Sequence, residues 1–332
     1  MKSHLWSPRG GRLAAVIIAL LSAGAVLAGC TSAPPIVRPS TPSQPVPVTA
    51  SDGRGAIRPL PAPTGCTHSV FDSGSMGQTV AVAQPGDKIC VTGDLSDTRL
   101  TINQSGTARQ PIQVVGDGRT LVKGISVQAD YVTVSGINAI NPAAPGISLY
   151  GNHITLENSS SLSPRGDDGD ALRFWGTYIT IKHNTMRDTK NIKAHADCMQ
   201  TFATDEDHPA SQHIVIDSNR CEDIANTCLI MEGPHSLAGD GSGVGATANV
   251  VFTNNYCQNQ ASEALQVDDV QNLTITNNNI VGATLDHAFA LQNTSTGARI
   301  SGNKLNRAIN FEVGMDDSSK PGYQGPPIGG NP

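Results

Sequence analysis

Positive charge is scarce in this chain of 332 residues: 22 lysines and arginines face 28 acids, a net charge of −6. A nucleic-acid surface needs a cationic excess, so composition argues against that partner. Aromatic residues are sparse at 4%, while glycine numbers 34. That balance suits a turn-rich stack of short strands. Long apolar runs are missing too, and the one candidate, Leu13 to Val26, is short for a membrane span. Nor do the histidines sit at metal-ligand spacing. His183, His213, His235 and His287 are scattered among turns and read as solvated.

What the chain has is repetition. Two apolar residues one apart, a short turn, two more one apart, often an Asn, and a last apolar residue recur seven times. Ile147/Leu149 lead to Ile154/Leu156, and Leu172/Phe174 lead to Ile179/Ile181, Asn184 and Met186. Met199/Thr201 lead to Ile214/Ile216, Asn219 and Cys221, and Leu229/Met231 to Val250/Phe252, Asn255 and Cys257. Leu265/Val267 lead to Leu273/Ile275, Asn278 and Ile280; Phe289/Leu291 lead to Ile300, Asn303 and Leu305; Phe311/Val313 open an incomplete copy. Alternation means strand, and several strands per repeat mean stacked coils. No single copy can bury its own apolar stripe, so neighbours must stack to exclude water.

The Asn column tests the stacking. Asn184, Asn219, Asn255, Asn278 and Asn303 each fall three residues after the last apolar residue of the second strand. Stacked amides satisfy one another at a turn that would otherwise bury unpaired groups. Ser159 replaces Asn one coil earlier, so the ladder is expected to begin at Asn184. From about Leu100 to Val313 the pattern resembles the right-handed parallel β-helix (pectate-lyase-like) superfamily, an all-β solenoid. Many chemistries share that scaffold. The resemblance implies a groove on the first-strand face, where the superfamily's enzymes generally place theirs.

Residues 1–29 read as a lipoprotein signal, with Lys2, Arg9 and Arg12 before the apolar segment. Leu27-Ala28-Gly29-Cys30 resembles a bacterial lipobox, which implies lipidation of Cys30 and an extracytoplasmic, membrane-anchored protein. Residues 30–63, rich in Pro, Ser and Thr, read as an extended tether. The β-helix is assigned to 64–317 and a disordered tail to 318–332. Six cysteines remain after Cys30, an even number suited to an oxidising compartment. Cys198 and Cys228 share one register position in adjacent coils, as do Cys221 and Cys257. Those pairs are the expected disulfides, with Cys66 and Cys90 stapling the N-terminal end. The alternative for the stacked pairs is buried free thiols.

Loop length locates a site. Two adjacent first-to-second-strand connections swell, Thr201 to Ile214 and Met231 to Val250. On the other side of the first strand, Ser161 to Leu172 and Met186 to Met199 are long. Long loops on a rigid scaffold make binding walls. Between them runs an outward column of Ser148, Arg173, Gln200, Ile230, Gln266, Ala290 and Glu312, preceded by Asp170, Asp197, Thr227 and Glu263. Lys193 and His195 arrive just before Asp197, as Asp167 and Asp168 do before Asp170.

Three functions compete. A lyase acting on a uronate polysaccharide would use Asp170 and Asp197 to hold Ca²⁺, the one candidate cofactor, and Arg173 to pair the substrate carboxylate. Lys193 or His195 would be the base. Gln200, Glu232, Glu263 and Gln266 are the substrate-binding candidates. A glycoside hydrolase would use Asp170 and Asp197 as its two carboxylates, or Glu232 as a more distant partner. A non-catalytic glycan-binding or spacer module needs no chemistry, and Trp175 and Tyr150 would offer it a stacking face; packing of the two within the turn is the favoured reading. The expected partner is polysaccharide, and the expected state a monomer.

Overall fold

The computed structural model describes residues 57–190, 195–282 and 285–332. The signal segment, Cys30, nearly all of the tether and Lys193 lie outside the described residues. Among the described residues, no helix is long and apolar enough to cross a membrane.

The N-terminal coils run through long strands such as Ile112–Gln128; from Ile147 on, a full coil contributes three main short strands, and the strands of successive coils pair in parallel. The first strands Ile147–Tyr150, Leu172–Trp175, Met199–Phe202, Leu229–Glu232 and Glu263–Asp268 stack in that order. Ile147, Leu172, Met199, Leu229, Leu265 and Phe289 therefore form one inward column. Ile154, Ile179, Ile214, Val250, Leu273 and Ile300 are also buried, at the second-strand corner. Each such aliphatic side chain contributes about 1.5–3 kcal/mol of transfer free energy. That sum, spread evenly along the axis, is what the repeat supplies in place of a globular core.

The last copy is offset from the sequence expectation. Phe311 pairs with His287 and is exposed, while Val313 and Met315 take the inward positions beside Phe289 and Leu291. Gly314, not Glu312, thus continues the outward column. Alternation alone could not choose between two apolar pairs sharing Val313.

The Asn ladder is continuous. Asn184 N–H and Nδ2 donate to Asn219 Oδ1, both at 3.0 Å, and Nδ2 also donates to Leu156 O at 3.0 Å. The same three bonds recur at Asn219 and Asn255, and at Asn278 toward Asn303. Ser159 extends the ladder by one coil, donating its N–H to Asn184 Oδ1 at 2.9 Å. Directly before these positions, Asn158, His183, Ser218, Asn254 and Asn277 hold positive φ. Asn and His are among the residues that tolerate that left-handed turn. A second stack runs along another corner: Tyr131, His153, Tyr178 and His213 lie ring on ring, with centroids 4.5, 4.8 and 4.7 Å apart. His213 is thus exposed but stacked on Tyr178.

Two expectations are corrected. The disulfides are Cys198–Cys221 and Cys228–Cys257, with Cα separations of 5.8 and 6.0 Å, not the stacked pairs; Cys66–Cys90 is as expected. Residues stacked in register send their Cα–Cβ bonds out parallel, so their sulfurs do not converge. Within a single coil, the start of the first strand and the third strand that follows it face each other across the interior, and their sulfurs meet. The tail is also ordered. Ile300 N–H donates to Gln324 O and Met315 N–H to Gly330 O, at 2.8 and 2.9 Å, so residues 321–330 cover the edge of the last coil. Asp316 caps the turn Asp317–Ser319, accepting from the N–H groups of Asn293 and Ser319. Covering an open strand edge is a general protection against further pairing. At the other end the helix Ser73–Ala81, capped by Asp72, buries Met76 and Val80 over the first coil.

Candidate active site

The outward column of the first strands is the floor of the candidate groove: Ser126, Ser148, Arg173, Gln200, Ile230 and Gln266 in successive coils. One wall is the segment 203–211, propped by Trp175, whose Nε1–H donates to Phe202 O at 2.9 Å. Phe202 and His208 pack on that indole at 5.1 and 5.0 Å. Trp175 is buried, as the turn-packing reading had it, so it offers no sugar-stacking face. The other inserted segment, 233–246, is held down by Asp268 and Asp269. Asp269 accepts from His235 N–H at 2.7 Å and Asp268 from Leu237 N–H at 3.1 Å.

Asp170 and Asp197 stand on adjacent coils as expected, and both are 0% exposed. Asp170 Oδ1 accepts the Asp197 N–H at 2.8 Å, and its Oδ2 accepts Arg173 Nε–H at 2.7 Å. Asp197 Oδ1 accepts three donors from the next coil: Thr227 N–H at 2.8 Å, Thr227 Oγ1–H at 2.7 Å and Asn226 Nδ2–H at 2.9 Å. Its Oδ2 lies 2.8 Å from His195 Nδ1. Burial, then the neighbouring Asp197 charge, push the Asp170 carboxyl up to about 6 against the pull of Arg173. The hydrogen bond to Asp197 holds the His195 imidazolium up to about 9.

The geometry redistributes the expected roles. Asp170 and Asp197 have every oxygen engaged and no access to solvent, so they cannot flank a scissile bond as a hydrolase pair does. They orient other groups. Arg173 has one edge of its fork filled: Nε binds Asp170, and one terminal nitrogen binds both Asp168 and Asp170. The other terminal nitrogen stands 4.0 Å from Asp167. His195 keeps a half-exposed imidazole whose Nε2 makes no hydrogen bond among the described residues. Glu232, opposite Phe202 and Asp268 in the stack, is raised above the usual carboxylate range by burial, then by the Asp268 charge. Gln200 is buried on the floor, and its Oε1 has no hydrogen-bond partner among the described residues.

Glu263 and Gln266 lie two coils beyond Asp197 and Gln200, along the same floor. The Glu263 carboxylate is engaged by the adjacent Ser262 hydroxyl. Asn226 went unnoticed in the sequence. Its signal was its place directly before Thr227, in register with the residue preceding Asp197.

Asp170, His195 and Asp197 each bring one ligand atom within 4.8 Å of the others, which is close enough for the three to hold a metal ion. Ca²⁺ takes six to eight oxygens. Here the carboxylate oxygens face N–H and O–H donors, a guanidinium lies beside Asp170, and the third ligand is a nitrogen. This donor set fits proton handling rather than a calcium cage.

The comparisons agree with the architecture. The family model described as "Right handed beta helix region" matches residues 123–310. The chain belongs to that right-handed β-helix family. No curated protein matches it. Among solved structures, an alginate lyase from Paenibacillus sp. str. FPU-7 is similar at 16% identity and TM-score 0.53, covering 75% of this chain and 99% of that one. A pectate lyase is similar at 14% identity and TM-score 0.54, covering 82% and 81%. A mannuronic acid specific polysaccharide family 6 lyase from human gut microbiota is similar at 13% identity and TM-score 0.53, covering 73% and 59%. At such identities the shared property is the right-handed β-helix fold.

Proposed function

We propose that the protein is a polysaccharide lyase that cleaves a uronate-containing glycan by elimination in the first-strand groove. The observation that carries this reading is the His195–Asp197 contact at 2.8 Å, with Asp197 immobilised by three donors from the next coil. A dyad so built fixes one ring nitrogen and leaves Nε2 as the working atom. Neutral His195 takes the C5 proton at Nε2, the C5–H electrons form the C4–C5 double bond, and the C4–O4 bond breaks. The imidazolium returns that proton to O4 of the departing sugar, so one group serves as base and acid. The terminal nitrogen of Arg173 nearer Asp167 takes the substrate carboxylate, which makes C5–H more acidic. Gln200 and Glu232 bind sugar hydroxyls on either side.

The three solved relatives are named as lyases on uronate polymers, which supports elimination over the hydrolase alternative. The saturated, buried Asp170–Asp197 pair disfavours the hydrolase independently. In this reading Cys30 carries a lipid anchor, and the β-helix works as a monomer outside the cytoplasmic membrane. The test is incubation of purified protein with a panel of uronate polymers, following ultraviolet absorbance of the unsaturated product and then reducing ends. Absorbance is the expected result. Reducing ends without it would indicate hydrolysis, and binding without either would indicate a glycan-binding module.

A further inference from the structure

Around the edge of the solenoid from the groove, on the third-strand side, lies a cavity of about 270 Å³ lined by Asp223, Ile224, Gln258, Asn259, Val281 and Asn306. Its origin is local. Between Cys221 and Ile224 the strand Arg220–Ile224 carries two residues where Tyr256–Asn259 carries one between Cys257 and Asn259. The extra residue, Asp223, bulges outward with φ 55. Ser163 and Asp188 occupy the same left-handed position in the two preceding coils, where Ser163 N–H bonds Arg187 O and Asp188 N–H bonds Glu222 O. The next coil has no such residue, so the wall stops there and the hollow begins.

The lining has a definite chemistry. Asn259 is 3% exposed; its Nδ2 donates to Asn226 O at 2.8 Å and to Glu263 O at 2.7 Å. Its Oδ1 is buried and has no partner among the described residues. A buried amide acceptor without a donor is rare and calls for an explanation. Around it stand one carboxylate, Asp223, the amides of Gln258, Gln260 and Asn306, and the aliphatic side chain of Val281. Hydroxyl groups would find acceptors here, and a C–H face would find Val281. The volume falls just below the ~300 Å³ lower end of drug-sized pockets, the scale of one sugar ring. A divalent cation would want several charged oxygens, and only Asp223 supplies any.

We propose that this cavity is an accessory saccharide site that takes one neutral, hydroxyl-rich sugar unit of a glycan. It is wired to the groove. Asn259 holds the carbonyl of Asn226, and Asn226 Nδ2 donates to Asp197 Oδ1 at 2.9 Å. A sugar that orders Asn259 also steadies the donor that positions Asp197.

The experiment is saturation-transfer NMR on the mature protein, with glucose, galactose, mannose and N-acetylglucosamine as probes. At least one probe should show transfer to its ring protons with wild type and with His195→Ala. Gln258→Trp, which fills the hollow from an outward strand position, should reduce the signal at least tenfold without changing the melting temperature. Asn306→Ala should weaken it severalfold, and Asp223→Asn, which keeps a residue tolerant of positive φ, should retain it. No transfer to any probe, or transfer indifferent to Gln258→Trp, overturns the proposal. So does calorimetric Ca²⁺ binding that vanishes in Asp223→Asn with no sugar signal. The site does not depend on the groove reading: transfer with this mutational pattern in a protein that cleaves no uronate polymer sustains the cavity and rejects the lyase.

Discussion

The backbone N–H of Asp197 donates to Asp170 Oδ1 at 2.8 Å, across the step from one coil to the next. Two acids 27 residues apart in sequence are thereby welded into one buried unit. From that unit Arg173 is held on one side and His195 on the other.

This arrangement changes what Asp197→Ala should do. On sequence grounds the variant should lose function and keep its fold. In the structure, Ala strips partners from Thr227 N–H, Thr227 Oγ1 and Asn226 Nδ2 at once. Each buried group left unpaired costs roughly 1–3 kcal/mol. The expected outcome is lost activity together with a clearly lower urea midpoint. Asp197→Asn, which keeps the size and one acceptor, should be milder in stability and still inactive. An Ala variant as stable as wild type would contradict the hydrogen-bond assignment.

Stability should fall as pH rises, in two windows. Asp170 has a folded pKa of about 6 against a reference of 3.8, so it favours the fold when protonated. Its contribution is complete below about 3.8 and lost as pH passes 6. His195 has a folded value of about 9 against 6.5, so its contribution is complete below 6.5 and lost as pH passes 9. Thermal melts from pH 4 to 10 should show both declines. Asp170→Asn should remove the acidic window, and His195→Gln the alkaline one. The rate of elimination should run the opposite way, rising with pH toward about 9 as the imidazole loses its proton.

The cysteine pairs give a direct chemical check. Peptide mapping without reduction should join the peptide of Cys198 to that of Cys221, and Cys228 to Cys257. Replacing both cysteines of one pair by Ser should cost on the order of 3 kcal/mol, since each closes a loop of more than twenty residues. A Cys198–Cys228 peptide would contradict the structure.

Coil order and register were legible because stacking repeats a rule. Leu172, Met199, Leu229 and Leu265 recur at one phase, and the amides of Asn184 through Asn303 mark the corner between strands. The disulfides were not legible, because sequence register gives height along the axis but not which interior faces meet. The tail was misread because Gly and Pro after Lys320 look like linker, while their backbone completes the strand edge at Ala298, Ile300 and Val313. In the candidate site, Asp170, Arg173, His195 and Asp197 are singled out in the sequence by proximity to long loops. Their roles needed hydrogen-bond partners such as Asn226 and Asp168, which no periodicity marks.

Ladder cooperativity is open to test at Asn219. Its amide accepts from Asn184, and donates to Ile181 O at 2.8 Å and Asn255 Oδ1 at 3.1 Å. Asn219→Ala should destabilise by about 2–4 kcal/mol through the groups it leaves unpaired. Amide hydrogen exchange should quicken first at Asn184 and its neighbours in adjacent coils. Uniform exchange across the solenoid would mean the ladder carries no local stability.

The central claim is that His195, oriented by Asp197, moves the proton in an elimination. The most direct measurement is the initial rate of unsaturated-product formation from a cleaved uronate polymer, wild type against His195→Ala, with folding checked by melting temperature. The expected result is a loss of at least a thousandfold in a protein that still melts cooperatively. A folded His195→Ala variant that forms unsaturated product at the wild-type rate would contradict it.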